Sequence, residues 1–359
     1  NNDLLRLVEE VDLSANMQYT KTKWIDCGHE MNYFKARAEF ISSRSFNSIK
    51  VDAIKGALIK ESDKIDILND EVNYVNKLPA ELSLYFPRIH KISNMKTTTT
   101  VEMEYYGYPS LSEYLLFWNI SRGLWQNIFN AIKRVLNDFN NFRVNDFNRK
   151  DYIEFYFGKT VERLSKYNNQ LGKNNHLFSS ELIINGTKCL SFEACEQVLL
   201  KKLKILYSKQ VSSIMHGDLC FNNILYDLYS GTIRLIDARG SYGSKHTGIY
   251  GDQGYDIAKI CHSGIGGYDY IVNGLFTFEE NESGYSYKIL FGENHEKVVE
   301  QNIDLLSYFG YTLNEMSYFM SLLFLSMTPL HNDNQERQKV FYLHGTKLLN
   351  EALESEGLI

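Results

Sequence analysis

The stretch SSIMHGDLCFNNILYDLYSGTIRLIDARG, residues 212 to 240, decides how this chain is read. A strand-like apolar lead runs into His216, Gly217 and Asp218, and Asn223 follows Asp218 by five residues. Two further apolar runs, ILYD and TIRLID, flank the turn residues LYSG. If these runs pair as a hairpin centred near Ser230, Asn223 and Asp237 are equidistant from that centre and lie at its open end. An amide oxygen and a carboxylate then converge on one point, just beyond the loop that bears Asp218.

Hard oxygen ligands beside a free carboxylate suit a magnesium–nucleotide site, because magnesium keeps several waters and takes few protein oxygens besides phosphate. Asn223 and Asp237 are the expected metal ligands, and Asp218 the base that accepts the proton of an attacking hydroxyl. Taken singly, each reads as a turn former or a strand-end cap. The joint order of base, amide, hairpin and second carboxylate points to phosphoryl transfer.

Outward from this stretch the periodicity divides the chain. Residues 33 to 60 are rich in alternating and β-branched positions, with YFKARAEFI, the polar SSRSFNS and SIKVDAIKGALIKES reading as strands around a turn. Ile67, Leu68, Val72, Val75 and Leu78 then recur at helical spacing, and Pro79 closes an amphipathic helix over 64–78. A strand pair is expected near 87–92 and 98–105, after which GYPS breaks the pattern. From Leu111 onward the chain reads as mainly helical, with helices over 124–142, 152–167, 195–207, 255–262, 298–308, 313–327 and 334–355, and the segment 213–237 as the exception. The expectation is an α+β fold: an N-terminal extension over 1–30, a small antiparallel-sheet lobe with one helix over 31–107, and a larger, mainly helical lobe over 108–359.

Composition narrows the partners. A hydrophobic content of 44% over 359 residues can supply a core to each lobe. The net charge of -6, with no Lys/Arg-rich block, argues against nucleic acid as a partner and favours a compact cationic or uncharged substrate. Cys27, Cys189, Cys195, Cys220 and Cys261 are odd in number, scattered and free of any CxxC pair, so they read as reduced thiols of a cytoplasmic protein. The opening NNDLLRLVEEVDL is acidic and lacks the pattern of a secretory signal. The longest apolar run, Tyr318 to Met327, is too short to span a bilayer. A first residue of Asn rather than Met suggests a piece of a longer chain.

HGDLCFNNIL followed by IRLIDARG resembles the signature of the aminoglycoside phosphotransferase and choline kinase-like family, small-molecule relatives of the protein kinases. The resemblance implies a two-lobed protein-kinase-like fold with Mg2+ and ATP or GTP between the lobes. Cys220, Phe221 and Asn222 stand where that family often has His-Pro-Gly, and Ala238, Arg239 and Gly240 follow Asp237 in place of an aromatic and an acid. The chemistry is therefore implied and the acceptor is not.

Such a site needs a strand lysine for the phosphates and a helix glutamate to position it. Lys60 in GALIKES and Glu71 on the following helix are the expected pair, with Lys55 the rival lysine. No GxGxxG precedes them; SSRSFNS occupies the turn, which makes Ser43, Arg44, Ser45 and Asn47 phosphate-loop candidates or a plain polar turn. VEMEYYGYPSL resembles the interlobe hinge, with Glu104, Tyr105 and Tyr106 facing the purine through their backbone. In GDQGYDIAKICHS, Asp256 reads as a structural helix-start charge, while Asp252 stays open between structure and substrate. Tyr268 and His331, with His262 and Asp269, are candidates to line the acceptor pocket, although each histidine reads rather as a core or cap residue, and His216 is expected to orient the catalytic loop through hydrogen bonds. Arg239 either contacts a phosphate or anionic acceptor or makes a salt bridge.

WIDCGHEMNYFKAR, residues 24–37, resembles the junction at which a nucleotidyltransferase-like domain precedes a kinase-like one in bacterial surface-polysaccharide proteins, which implies a fused upstream nucleotidyltransferase. The function expected is transfer of the γ-phosphoryl group of ATP or GTP to a hydroxyl of a sugar, amino alcohol or related small molecule, in surface-polysaccharide assembly. The alternatives are a nucleotide-binding pseudokinase that regulates a nucleotidyltransferase and an antibiotic-modifying phosphotransferase.

Overall fold

The computed structural model describes residues 47–52, 55–95, 97–145, 148–172, 175–239 and 248–359. Strands β1 (Asn47–Asp52) and β2 (Ala57–Ser62) form an antiparallel hairpin in which Ile49 faces Lys60. The run SIKVDAIKGALIKES is thus two strands rather than one. Gly56, at φ +61°, supplies the left-handed turn residue that divides it. Helix α1 (Ile65–Lys77) follows, then a 3-10 turn at Ala80–Tyr85 and the antiparallel pair β3 (Ile89–Asn94) and β4 (Thr99–Glu104). The sheet order is β1-β2-β4-β3. Leu68 and Val72 of α1 pack on Val101 and Met103 of β4, whereas Tyr74, one face round, joins the main core. Ile67, expected on the apolar face, is 58% exposed, because the stripe that meets the sheet is narrower than the sequence suggests.

The remainder is mostly helical. It runs through α2 (Leu111–Phe117), α3 (Arg122–Asn140) and α4 (Arg149–Ile153), then a π-turn at Glu154–Gly158 into α5 (Lys159–Leu171). Next come β5 (Glu181–Ile184), β6 (Thr187–Leu190), α6 (Phe192–Leu206), β7 (Ser212–Ile214), β8 (Ile224–Tyr226), β9 (Ile233–Leu235) and β10 (Tyr250–Asp252). Helix α7 (Gln253–Gly264) is buried along its whole length. It is followed by α8 (Tyr268–Val272), β11 (Phe276–Asn281), β12 (Gly284–Ile289), α9 (His295–Phe309), α10 (Leu313–Met327) and α11 (Gln335–Ser355).

The segment 213–237 is not the only extended part of this region. A second four-stranded sheet, ordered β11-β12-β5-β6, was not expected. Its β5–β6 turn is Asn185-Gly186, at φ +50° and +78°, the pair of left-handed residues that a tight hairpin needs. None of the described helices is both long and apolar enough to cross a membrane.

Candidate active site

The loop after β7 is held from below by α7. Strand β7 pairs with β10, which leads directly into α7, so the helix start lies under the loop. Asp256 in the first turn of α7 accepts the backbone N–H groups of His216 (2.7 Å) and Gly217 (2.9 Å). Asp256 stands in the first turn of the helix, as expected of a structural charge there, and its two oxygens also cradle the loop. Burial pushes its carboxyl up to about 7. Ser263, two turns on, accepts the N–H of Phe221 at 3.1 Å.

His216 is fully buried, with Nδ1 accepting the N–H of Asp218 (3.2 Å) and Nε2 donating to the Ile236 carbonyl (3.1 Å). These partners fix a neutral imidazole protonated on Nε2, and burial lowers its pKa to about 4. His216 orients the loop, as expected.

Asp218, itself 9% exposed, receives two cations: Lys259 Nζ at 2.8 Å from one oxygen and Arg239 Nη2 at 3.2 Å from the other. Burial would raise the carboxyl pKa, but Lys259 and Arg239 outweigh it and hold it well below the usual carboxylate range. Asn223 donates its side-chain N–H to the Asp218 carbonyl at 2.8 Å, which orients its amide and leaves the oxygen as the end that could accept or ligate.

The hairpin β8–β9 forms, with Ile224 opposite Leu235 and Tyr226 opposite Ile233. Its centre falls between Tyr229 and Ser230, so Asn223 faces Ile236, whose N–H it accepts at 3.1 Å. Asp237 lies one residue past that pair, at φ +58°, rather than symmetric with Asn223. The left-handed kink turns its half-exposed carboxylate off the ladder, toward Lys60.

Lys60 of β2 donates to both oxygens of Glu71 (2.7 and 3.0 Å) and to Asp237. Burial would depress the ammonium, yet Asp237 and Glu71 raise it above its usual value. Lys55 sits in the exposed turn beside Asp52 at 3.6 Å and is not at this site.

Ser43, Arg44 and Ser45 lie outside the described residues, and Asn47 opens β1 opposite Ser62. At the expected hinge, the N–H groups of Glu104 and Tyr105 are committed to Arg88 and Gly56 carbonyls at 2.9 and 2.8 Å. A purine acceptor nitrogen would therefore need an N–H from Tyr106 onward. The Tyr106 hydroxyl lies within hydrogen-bond reach of the Glu104 carboxylate (2.9 Å) and the Phe86 carbonyl (3.0 Å), and Arg234 lies over its ring.

Asp252 makes structural contacts. It caps α7, 1% exposed, with the Tyr156 hydroxyl at 2.6 Å and the Gly254 N–H at 3.0 Å. Burial raises its carboxyl to about 6. Tyr268 and His331 do meet, in an aromatic group with His262 (4.6 Å from Tyr268) and Phe341. Lys259 was missed, although the sequence carried a signal: one lysine inside the apolar run YDIAKIC must find an anion once that helix is buried.

Among the described residues, no group of three or more His, Cys, Asp or Glu is placed to hold a metal. A divalent cation here would take the oxygens of Asn223 and Asp237, both hard donors that fit magnesium, with phosphate and water completing its shell.

No protein-family model and no curated protein matches this sequence. Solved structures do. Aminoglycoside phosphotransferase APH(4)-Ia superposes with a TM-score of 0.54 over 90% of this chain and 98% of its own, at 10% identity. A thermostable mutant of the same enzyme, in a ternary complex with AMP-PNP and hygromycin B, gives 0.53 over 89% and 98%, at 11% identity. The apo form of such a mutant gives 0.51 over 88% and 94%, at 12% identity. The chain therefore has the protein-kinase-like fold of the aminoglycoside phosphotransferases.

Proposed function

We propose that this chain is a small-molecule phosphotransferase, which moves the γ-phosphoryl group of ATP or GTP to a hydroxyl. The observation that carries the reading is Lys60 joined at once to Glu71 of α1 and Asp237 of the hairpin, with Asp218 and Asn223 on the adjoining loop. Kinase-like catalysis requires these charges to meet across two parts of one fold. In this reading the acceptor oxygen attacks phosphorus, the bond from phosphorus to the bridging oxygen breaks, and the nucleoside diphosphate leaves with that electron pair. Asp218 orients the hydroxyl and takes its proton as the new bond acidifies it. The flanking cations Lys259 and Arg239 favour the ionised form of Asp218. Magnesium, held by Asn223 and Asp237, would neutralise the phosphate oxygens. Lys60 would bind phosphate and Glu71 position it. Residues Ser43, Arg44, Ser45 and Asn47 would form the phosphate loop, and the backbone near Tyr106 the purine contact. The lobes would divide near residue 107, with an upstream nucleotidyltransferase and a role in surface-polysaccharide assembly consistent with the 24–37 segment.

The test is a small-metabolite pool incubated with the protein, ATP or GTP and magnesium, with products read by the mass gain of one phosphoryl group. Asp218→Ala should abolish product and retain nucleotide affinity. Nucleotide binding without any product across the pool would favour the pseudokinase reading.

A further inference from the structure

Beyond Asp218 stand cations that the transfer step does not use. Lys159 and Arg163 lie one turn apart on α5 and so share a face. Lys159 Nζ is 3.4 Å from the Tyr255 hydroxyl and lies over the rings of Phe155 (4.3 Å) and Tyr255 (4.9 Å). Arg163 donates to the Ser326 carbonyl at 3.1 Å, near the end of α10. Among the described residues, neither has a carboxylate within salt-bridge reach; Glu162 beside Arg163 is exposed and paired with Lys166 at 2.6 Å. Both belong to the electrostatics of the site: Lys159 feels Arg163 and Lys259, and Arg163 feels Arg239 and Asp218.

Lys259 and Arg239 sit on Asp218 at 2.8 and 3.2 Å, Lys259 lies 6.0 Å from the Tyr255 ring, Lys159 reaches the Tyr255 hydroxyl, and Arg163 follows Lys159 by one turn. Burial, the largest cause, lowers the pKa of both Lys159 and Arg163. Burial would raise the Tyr255 phenol, yet Lys159 and Lys259 overcome it and bring it below its ordinary value. Like charges one turn apart weaken a helix, and partly buried cations without counter-ions cost more. The ring contacts and the helix-end carbonyl offset part of that cost, but they neutralise no charge.

We infer that the acceptor is anionic: a hydroxyl-bearing small molecule with a phosphate or carboxylate group, held by Arg163 and Lys159 while its hydroxyl meets Asp218. This rests on the phosphotransferase reading and reverses the expectation of a cationic or uncharged substrate drawn from the net charge of -6. Net charge sums the whole surface, whereas recognition depends on the few groups that face the ligand. The guanidinium fork of Arg163 suits a planar or tetrahedral oxyanion, and a polycationic acceptor would meet like charge.

The first measurement fills the triphosphate site with AMP-PNP and magnesium and titrates inorganic phosphate against thermal stability, with ionic strength held by sodium chloride. Phosphate should raise the wild-type midpoint. Arg163→Gln and Lys159→Gln should each weaken its apparent affinity about tenfold or more, the loss of one charge-assisted contact. Arg163→Lys should keep only part of it, because an ammonium retains the charge without the fork, and all three should bind AMP-PNP as the wild type does, which also certifies their folding. No phosphate-specific shift in the wild type, unchanged titrations in both Gln variants, or a loss of AMP-PNP affinity instead would each overturn the inference. The metabolite pool separates it from its parent. Products confined to sugar phosphates and sugar acids support it; products confined to amines and neutral alcohols refute it and leave the phosphotransferase standing. An absence of products with phosphate binding intact sinks the phosphotransferase and leaves the anion site.

Discussion

At the scale of single residues, the site is a set of charges whose burial would be ruinous without their partners. Lys60 is the clearest case, being 8% exposed and shared between Glu71 and Asp237. Lys60→Met would leave Glu71 buried and unpaired; with Asp237 half-exposed and able to turn to water, the expected cost is about 1–3 kcal/mol, below the full cost of a broken buried pair. Urea unfolding measures it, and nucleotide affinity should fall in the same variant. Asp256 gives a test by pH. Its carboxyl rises from 3.8 to about 7 on folding, so its stabilising contribution is complete below about 4 and is lost as pH climbs through 7. Asp252, raised to about 6, acts in the same direction, and His216, lowered from 6.5 to about 4, acts in the opposite one, losing stability as pH falls. Asp256→Asn should flatten the decline in unfolding free energy between pH 5 and 8. It should also cost about 1–3 kcal/mol at pH 8, because one amide oxygen replaces two acceptors for the His216 and Gly217 N–H groups.

Elements place these residues, and α7 places most of them: Asp256 under the loop, Lys259 on Asp218, Ser263 on Phe221. Helix boundaries were largely legible. Thr312 and Glu315 form a capping box that starts α10 where the sequence expects, and Asn334 caps α11. How closely these two helices approach was not legible. Gly345 of α11 lies against α10 so tightly that a Cβ there would come within 2.9 Å of Leu325 and 3.0 Å of the Ser321 carbonyl. Gly345→Ala should therefore destabilise by about 1–2 kcal/mol despite the better helix propensity of alanine. Thermal unfolding decides it, and a stabilised variant would show that the two helices part easily.

For the whole molecule, the small sheet and the helical region meet through Tyr74 in the main core and through Lys60 on Asp237. A nucleotide bound between them should strengthen that union in proportion to occupancy. AMP-PNP with magnesium at about 100 times its dissociation constant should add roughly 2.7 kcal/mol to unfolding. Asp237→Asn should remove most of the magnesium-dependent part of that gain and spare the rest. What the sequence by itself determined was local: the loop from His216 to Asn223, the hairpin to Asp237, the pairing of Lys60 with Glu71, and most helices. Spacing and apolar period are properties of neighbouring residues, and those suffice to write them. The tertiary structure alone decided which distant charges share a space. Lys159, Arg163 and Lys259 come from two separate helices and Arg239 from the chain past β9; the apolar run around Lys259 signals that it needs an anion, but nothing local names Asp218 as that anion. Their convergence follows from burying α7 on all sides, because a buried helix brings every element that packs on it to the same few side chains.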